Sequence, residues 1–241
     1  MAGCPPSVLA TSMSSERIFP DRATAGVALG RLLQRQSLRP PLLVLGLPRG
    51  GVPVAYEVAQ MLNAPLDVLL VRKIGMPGWP ELAIGAIASG NILVQQPTLE
   101  QEIPAETFDR LVTEQRRELA RRERIYRGDR PPLELKGKTV ILVDDGLATG
   151  STMLAAVRAA RKGHAGAIVV AAPVASRPAA DLVRAEADSV VILQTPAALF
   201  AIGEWYQNFE QLEDNDVSCL LARANHKDVS GHTSGTPGRR A

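Results

Sequence analysis

Two adjacent carboxylates followed by glycines and hydroxyls make the chemically richest stretch of this chain: Asp144, Asp145, Gly146, Leu147, Ala148, Thr149, Gly150, Ser151 and Thr152. Gly146 and Gly150 let a backbone turn tightly and approach a ligand with no Cβ in the way. Where a helix starts directly afterwards, its first amides point outward without partners, with the positive end of the helix dipole behind them. Thr149, Ser151 and Thr152 add hydroxyl donors, and the set makes a cradle for a phosphate dianion. The carboxylates would repel that phosphate; they suit the hydroxyls of a sugar attached to it, or a Mg2+ ion. A phosphate cup beside a diol-binding acid pair describes a ribose 5-phosphate site. Taken singly, each residue has a plainer role, Asp145-Gly146 as a turn and Ser151 or Thr152 as an N-cap; the combination is what points to a site. No lysine follows Gly150, so a Walker loop is excluded.

Such a loop needs a strand before it and a helix after it, and the pattern supplies both. Thr139 to Val143 is a short apolar run, as expected of a strand buried on both faces. Residues 151–162 read as a helix. The same alternation runs through most of the chain. Residues 22–36 are expected to be helical, residues 42–47 a strand, and Pro53 opens a helix with Val54, Ala55, Val58, Ala59 and Leu62 on one side. Leu66 to Val71 is the next expected strand. Residues 74–96, rich in Gly and Pro, read as a long loop or hairpin excursion. A helix over 104–127 carries Phe108, Val112, Leu119 and Tyr126 in one stripe. Ala167 to Ala172 and Val190 to Leu193 are further strands, separated by a helix at 178–187. Alternating β and α elements with apolar strands imply an α/β parallel sheet covered on both faces, with ligands at the carboxyl ends of the strands.

The 241 residues are enough for one domain with a full core. Apolar residues at 46% and charged residues at 22% have the balance of a soluble globular protein, and a net charge of +2 does not by itself imply nucleic acid. No run is long enough to span a bilayer and no secretory signal is read near the start, so a cytoplasmic location is expected. Two cysteines, Cys4 and Cys219, fit a reducing compartment. Residues 1–17 are expected to be a flexible segment, 18–224 the domain, with a small hood over about 196–217, and 225–241 a disordered tail. Six arginines between Arg116 and Arg127 sit beside Glu114, Glu118 and Glu123. The spacing pairs Glu118 with Arg122 and Glu123 with Arg127 on a solvated, ion-paired face.

The stretch Val140 to Met153 resembles the motif with which type I phosphoribosyltransferases bind phosphoribosyl pyrophosphate (PRPP). Gly46 to Ala55 resembles that family's pyrophosphate loop, and Val71 to Ile87 its flexible-loop region. The span from about Phe19 to Val217 is similar to an uncharacterised bacterial branch of the family. The resemblance implies a parallel-sheet core with a flexible loop and a small hood. It implies transfer of the 5-phosphoribosyl group from PRPP to a nitrogenous acceptor, a nucleobase as a rule, with release of pyrophosphate and with Mg2+ travelling on that pyrophosphate. A homodimer is common in the family.

The implied roles fall on named residues. Asp144 and Asp145 would grip the ribose hydroxyls and stand near the growing positive charge, and Ala148 to Thr152 would hold the 5-phosphate. Arg49, Gly50 and Gly51 would cup the pyrophosphate, at a loop where the family often has a strained peptide bond. Lys73, with Arg72, would neutralise the leaving group; both Arg49 and Lys73 follow buried strands, which favours function over ordinary surface charge. The loop around Gly75 to Pro80 would close as a lid. Ala148 stands where enzymes for 6-oxopurines carry an Asp, which argues against hypoxanthine and guanine; Glu81 is a candidate for handling the acceptor's proton, or a plain loop acid. Phe200, Trp205, Tyr206 and Phe209 either stack on a base or pack the hood, with packing expected for at least two. Glu213, Asp214 and Asp216 read as a solvated edge. The competing function is a PRPP-sensing regulator that binds nucleic acid without turnover, and a hydrolase on the same scaffold is a third.

Overall fold

Strands that are apolar along their whole length must bury both faces, and the computed structural model shows how these do so. It describes residues 18–95 and 103–230, apart from the side chains at 80, 81 and 225–230. Five strands form one sheet in the order β2-β1-β6-β7-β8, all parallel: β1 (Leu42–Gly46), β2 (Leu66–Val68), β6 (Thr139–Val143), β7 (Ala167–Val174) and β8 (Ser189–Gln194). The central pair is registered Leu42 to Thr139 through Gly46 to Val143, so both strands end at the same edge. Alternate side chains feed two cores. Val44, Ile141, Val143, Val169 and Ala171 pack on one face with α1 (Arg22–Leu33) and α2 (Gly51–Leu62); Leu43, Leu45, Val140, Leu142, Ile168 and Val170 pack on the other with α4 (Ser151–Lys162) and α5 (Arg177–Arg184).

The excursion between β2 and α3 (Ala105–Arg127) is the largest difference from expectation. The strand expected over Leu66 to Val71 divides: β2 stays in the parallel sheet, and β3 (Val71–Met76) pairs with β4 (Trp79–Ala88), which pairs in turn with β5 (Ile92–Gln95), in a separate antiparallel sheet. Register shifts at Gly75 and Met76 break the two-residue alternation there, which is why that segment reads as a loop in the sequence. A small cluster of Ile74, Ile84, Phe108 and Val112 ties this sheet to α3.

The carboxyl-terminal end also differs. A helix, α6 (Asp214–Ser230), continues past Asn225, where a disordered tail is expected to begin. Val217, Leu221 and Ala224 bury one stripe of it against the main core, and propagation from an anchored helix is favourable even through polar residues. The expected flexible segment 1–17 and residues 231–241 of the expected tail lie outside the described residues. Among those described, no helix is long and apolar enough to cross a membrane.

Candidate functional site

The site lies where β1 and β6 end. Leu47 donates its amide to the Val143 carbonyl at 2.9 Å, which lashes the loop after β1 to the end of β6. The residues that follow are Arg49, Gly50 and Gly51 on one side, and Asp144 and Asp145 on the other. Gly50 is required by contact: a Cβ there would stand 2.0 Å from Asp145 Oδ2. The Pro48–Arg49 peptide bond in this loop is cis.

After Asp145 the chain crosses to the next strand before entering α4. Leu147 donates to the Val174 carbonyl at 2.9 Å, and Ser176 donates its amide to the Leu147 carbonyl at 2.9 Å, so the loop pairs briefly with the end of β7. Ser176 Oγ donates to the Ala148 carbonyl at 2.7 Å and accepts from the Ala179 amide at 3.1 Å, bracing the loop while capping α5. Gly150 then takes φ +74°, a conformation an L side chain resists, and α4 begins. Among the described residues no side chain caps that helix at Gly150; the nearest contact is Thr149 Oγ1, 3.4 Å from the Ser151 amide. The first amides of α4 thus remain available to an anion. Asp144, Gly146 to Gly150, Thr152, Met153 and Ile202 line a cavity of about 180 Å³.

The two acids differ in surroundings. Asp144 Oδ1 accepts the Asp145 amide at 2.9 Å. Burial holds the Asp144 carboxyl well above its ordinary value, and the charge of Asp145 adds to that. Asp145 also rises through burial, but Arg22 pulls against the shift from 2.8 Å. The Tyr206 hydroxyl donates to the Asp145 carbonyl at 2.6 Å, and burial pushes that phenol upward.

The remaining candidates divide. Lys73, on β3, places Nζ 3.2 Å from Ser151 Oγ, which lies 3.0 Å from Thr149 Oγ1. It stands beside the hydroxyls at the start of α4. Arg72 turns away to α3, donating to Gln115 Oε1 at 2.7 Å and lying 3.8 Å from Glu118, so it is not at the pyrophosphate loop. Arg49 is half-exposed and 3.9 Å from Asp214, which also accepts the Tyr126 hydroxyl. Asp214 is therefore part of a contact network, beyond a solvated edge. Glu81 belongs to β4, but its side chain lies outside the described residues. Trp205 and Tyr206 are buried in the hood, Phe209 is at its margin, and Phe200 is 86% exposed.

On α3, Glu118 pairs with Arg122 as helical spacing predicts, and with Arg121 as well. Arg127 does not take Glu123; it turns inward to Asp67 at 3.0 Å, because the middle of β2 offers a nearly buried carboxylate that outcompetes a solvated one. Sequence reasoning missed Arg22 and Ser176. Ser176 before Arg177-Pro178 has the form of an N-cap signal and was open to discovery. Arg22 lies 123 positions from its partner and carries no local sign.

With the geometry in place, comparison with known proteins is informative. A model of the phosphoribosyl transferase domain matches residues 31–208. Two Mycobacterium tuberculosis proteins, from strains CDC 1551 / Oshkosh and ATCC 25618 / H37Rv, are each provisionally named a phosphoribosyl transferase. Each is 43% identical over 216 residues, covering 89% of this chain and 48% of the relative. The chain thus spans about half the length of these curated relatives. Among solved structures, TT1426 from Thermus thermophilus is 42% identical, with a TM-score of 0.79 over 86% of this chain and 98% of that one.

Proposed function

Because the chain belongs to the phosphoribosyl transferase family, we propose that it transfers the 5-phosphoribosyl group of PRPP to a nitrogenous acceptor, with release of pyrophosphate. The acceptor nitrogen's lone pair forms a bond to ribose C1, and the C1–oxygen bond to pyrophosphate breaks, its electrons leaving with the pyrophosphate. Positive charge grows on the ring and negative charge on the leaving group, so fixed dipoles and charges of both signs are needed in one water-poor place.

The observation that carries this reading is the shared wall: one acid, Asp144, and residues 146–150 and 152 at the start of α4 line a single cavity, with Lys73 Nζ 3.2 Å from the Ser151 hydroxyl in the same turn. Amides 148–152 and Lys73 suit the 5-phosphate. Asp144 suits the sugar hydroxyls and the ring's positive charge. Arg49, Gly50 and Gly51 border the same strand ends and suit the pyrophosphate. A Mg2+ ion brought in on the pyrophosphate needs only one or two protein carboxylates, and the cavity-facing side of Asp144 fits that donor requirement. Ala148 leaves no acid for a 6-oxopurine proton, which favours other acceptors. The pairing of Glu118 with two arginines and of Arg127 with Asp67 favours the transferase over the nucleic-acid-binding regulator.

The test is a panel of nucleobases and related amines with PRPP and Mg2+, read as pyrophosphate release. Release with at least one acceptor that is not a 6-oxopurine is the expected result. No release with any acceptor, together with salt-sensitive RNA binding, would overturn it in favour of the regulator.

A further inference from the structure

Arg49 reaches out of the loop after β1 toward the start of α6. Its Nη1 stands 3.9 Å from Asp214 Oδ1, with the two side chains 44% and 43% exposed. Among the described residues the guanidinium has no other ion pair. Asp214 is placed without help from that loop. The Tyr126 hydroxyl, on α3, donates to the same Oδ1 at 2.5 Å. Ser218 Oγ lies 3.0 Å from the Asp214 carbonyl and 3.2 Å from the Ile125 carbonyl, joining the start of α6 to α3. Val217 and Leu221, fully buried, seat α6 on the main core. Burial, then the bond to Asp214, push the Tyr126 phenol up to about 12, so it remains a donor throughout the neutral range. Two contacts thus share one oxygen on unequal terms. Tyr126 holds Oδ1 in a short hydrogen bond, whereas Arg49 stands beyond hydrogen-bond range. A half-exposed pair of that kind is weak and readily exchanged.

We propose that Asp214 is a positioning residue for the pyrophosphate loop: it competes with pyrophosphate for the Arg49 guanidinium, so the loop's grip on that anion is set by a carboxylate fixed on α6. This rests on the phosphoribosyl reading, which puts the pyrophosphate beside Arg49, Gly50 and Gly51. The chemistry favours such a competitor. The loop must hold the pyrophosphate of PRPP before transfer and let the free anion go afterwards. An arginine with no carboxylate in reach would favour the bound anion throughout. A carboxylate in reach gives the guanidinium a second partner as the product departs. Oδ1 is anchored by Tyr126 and Arg49 has a long side chain with many rotamers, so the arginine is the member that exchanges.

The experiment measures the affinities of PRPP, inorganic pyrophosphate and ribose 5-phosphate by calorimetry with Mg2+ present. The proteins are wild type, Asp214→Asn, Asp214→Glu, Arg49→Met and the Arg49→Met/Asp214→Asn double variant. Asn keeps an acceptor for the Tyr126 hydroxyl and removes only the charge. Asp214→Asn should bind pyrophosphate and PRPP about three- to fivefold more tightly, the worth of one half-exposed ion pair. Ribose 5-phosphate carries no pyrophosphate, so its affinity should change by less than about 1.5-fold. Asp214→Glu keeps the charge and should stay within about twofold of wild type. With Arg49 replaced by Met, the further change of Asp214 to Asn should gain less than about 1.5-fold. A residue that merely holds α6 in place would lower Tm on substitution and give no gain for pyrophosphate. The assignment is overturned if Asp214→Asn binds pyrophosphate no tighter than wild type, if ribose 5-phosphate gains as much, or if the gain is as large without Arg49 as with it. Should Asp214→Asn fail to fold, Asp214→Ser, which also removes the charge and keeps a hydroxyl at the start of α6, is judged by the same outcomes. Wild-type protein that takes up neither PRPP nor pyrophosphate sinks the phosphoribosyl reading and this assignment with it; wild-type uptake with no gain in Asp214→Asn sinks the assignment alone.

Discussion

The loops that end β1 and β6 and the antiparallel sheet β3–β5 lie around the start of α4, but they are built differently. The loops grow out of strands with almost every side chain buried, and they are lashed to neighbouring strands through Leu47 and Leu147. In the small sheet β3 and β5 are mostly half-buried while residues 84–88 of β4 are buried; the sheet ends in a turn beside a Trp79 that is 70% exposed, and it reaches Ser151 through a single exposed lysine, Lys73. The backbone around the start of α4 is fixed by the core, whereas Lys73 rides on a layer whose base, Ile87 and Ala88, is anchored in the main cores and whose outer part has its own small cluster of side chains.

The sharpest way to break this contrast is to disturb the fixed side. Gly50→Ala puts a Cβ 2.0 Å from Asp145 Oδ2, so the carboxylate must leave its 2.8 Å contact with Arg22 or the loop must move. Pyrophosphate release should fall on the order of 100-fold or more, since displacements of an ångström at such sites have that effect. Asp144→Asn should come next, weakening PRPP by roughly 10- to 100-fold through loss of charge-assisted hydrogen bonds. Its effect on stability should have the opposite sign. Burial, then the charge of Asp145, hold the Asp144 carboxyl above its ordinary value of 3.8. The folded protein therefore keeps a proton where the unfolded chain has released it, and the associated stability is complete below that ordinary value and lost as pH rises through the elevated one. Asn keeps the neutral form at every pH, so thermal scans should show a higher Tm for the variant at pH 7 and a narrowing gap toward pH 4.

On the small sheet the effects should shrink. Lys73→Met should weaken PRPP about tenfold, the worth of one charged contact, and leave unfolding by urea nearly unchanged because the side chain is exposed. Trp79→Ser, at the far end of the same sheet, should alter unfolding free energy by less than about 0.5 kcal/mol. A large loss of stability in either variant would show that the outer part of the small sheet is held as firmly as its base at Ile87 and Ala88.

The same contrast explains what the sequence disclosed. The parallel strands were legible because burial on both faces forces continuous apolar runs such as Leu42 to Leu45 and Val140 to Val143. The turn from β6 into α4 was legible because its acids, glycines and hydroxyls fall within nine consecutive residues, Asp144 to Thr152. The small sheet was hidden, since bulges at Gly75 and Met76 and prolines at 77 and 80 erase its alternation. Arg22 was hidden for another reason: its pairing with Asp145 is purely tertiary, and nothing in the spacing of Asp21, Arg22 and Ala23 reports what lies across the fold. Arg127 misled because helical spacing names a neighbour for every charge, while the fold offered a better-shielded partner in Asp67.

The short strand-like pairing of Leu147 with Ala175, and the Ser176 hydroxyl on the Ala148 carbonyl, make the stretch between β6 and α4 an extension of the sheet's fourth strand. Such a segment gives up its conformational freedom when the protein folds, not when a ligand arrives. Amide exchange along residues 147 and 176 should accordingly be as slow as in the neighbouring strand, and an incoming dianion should find its donors already ordered.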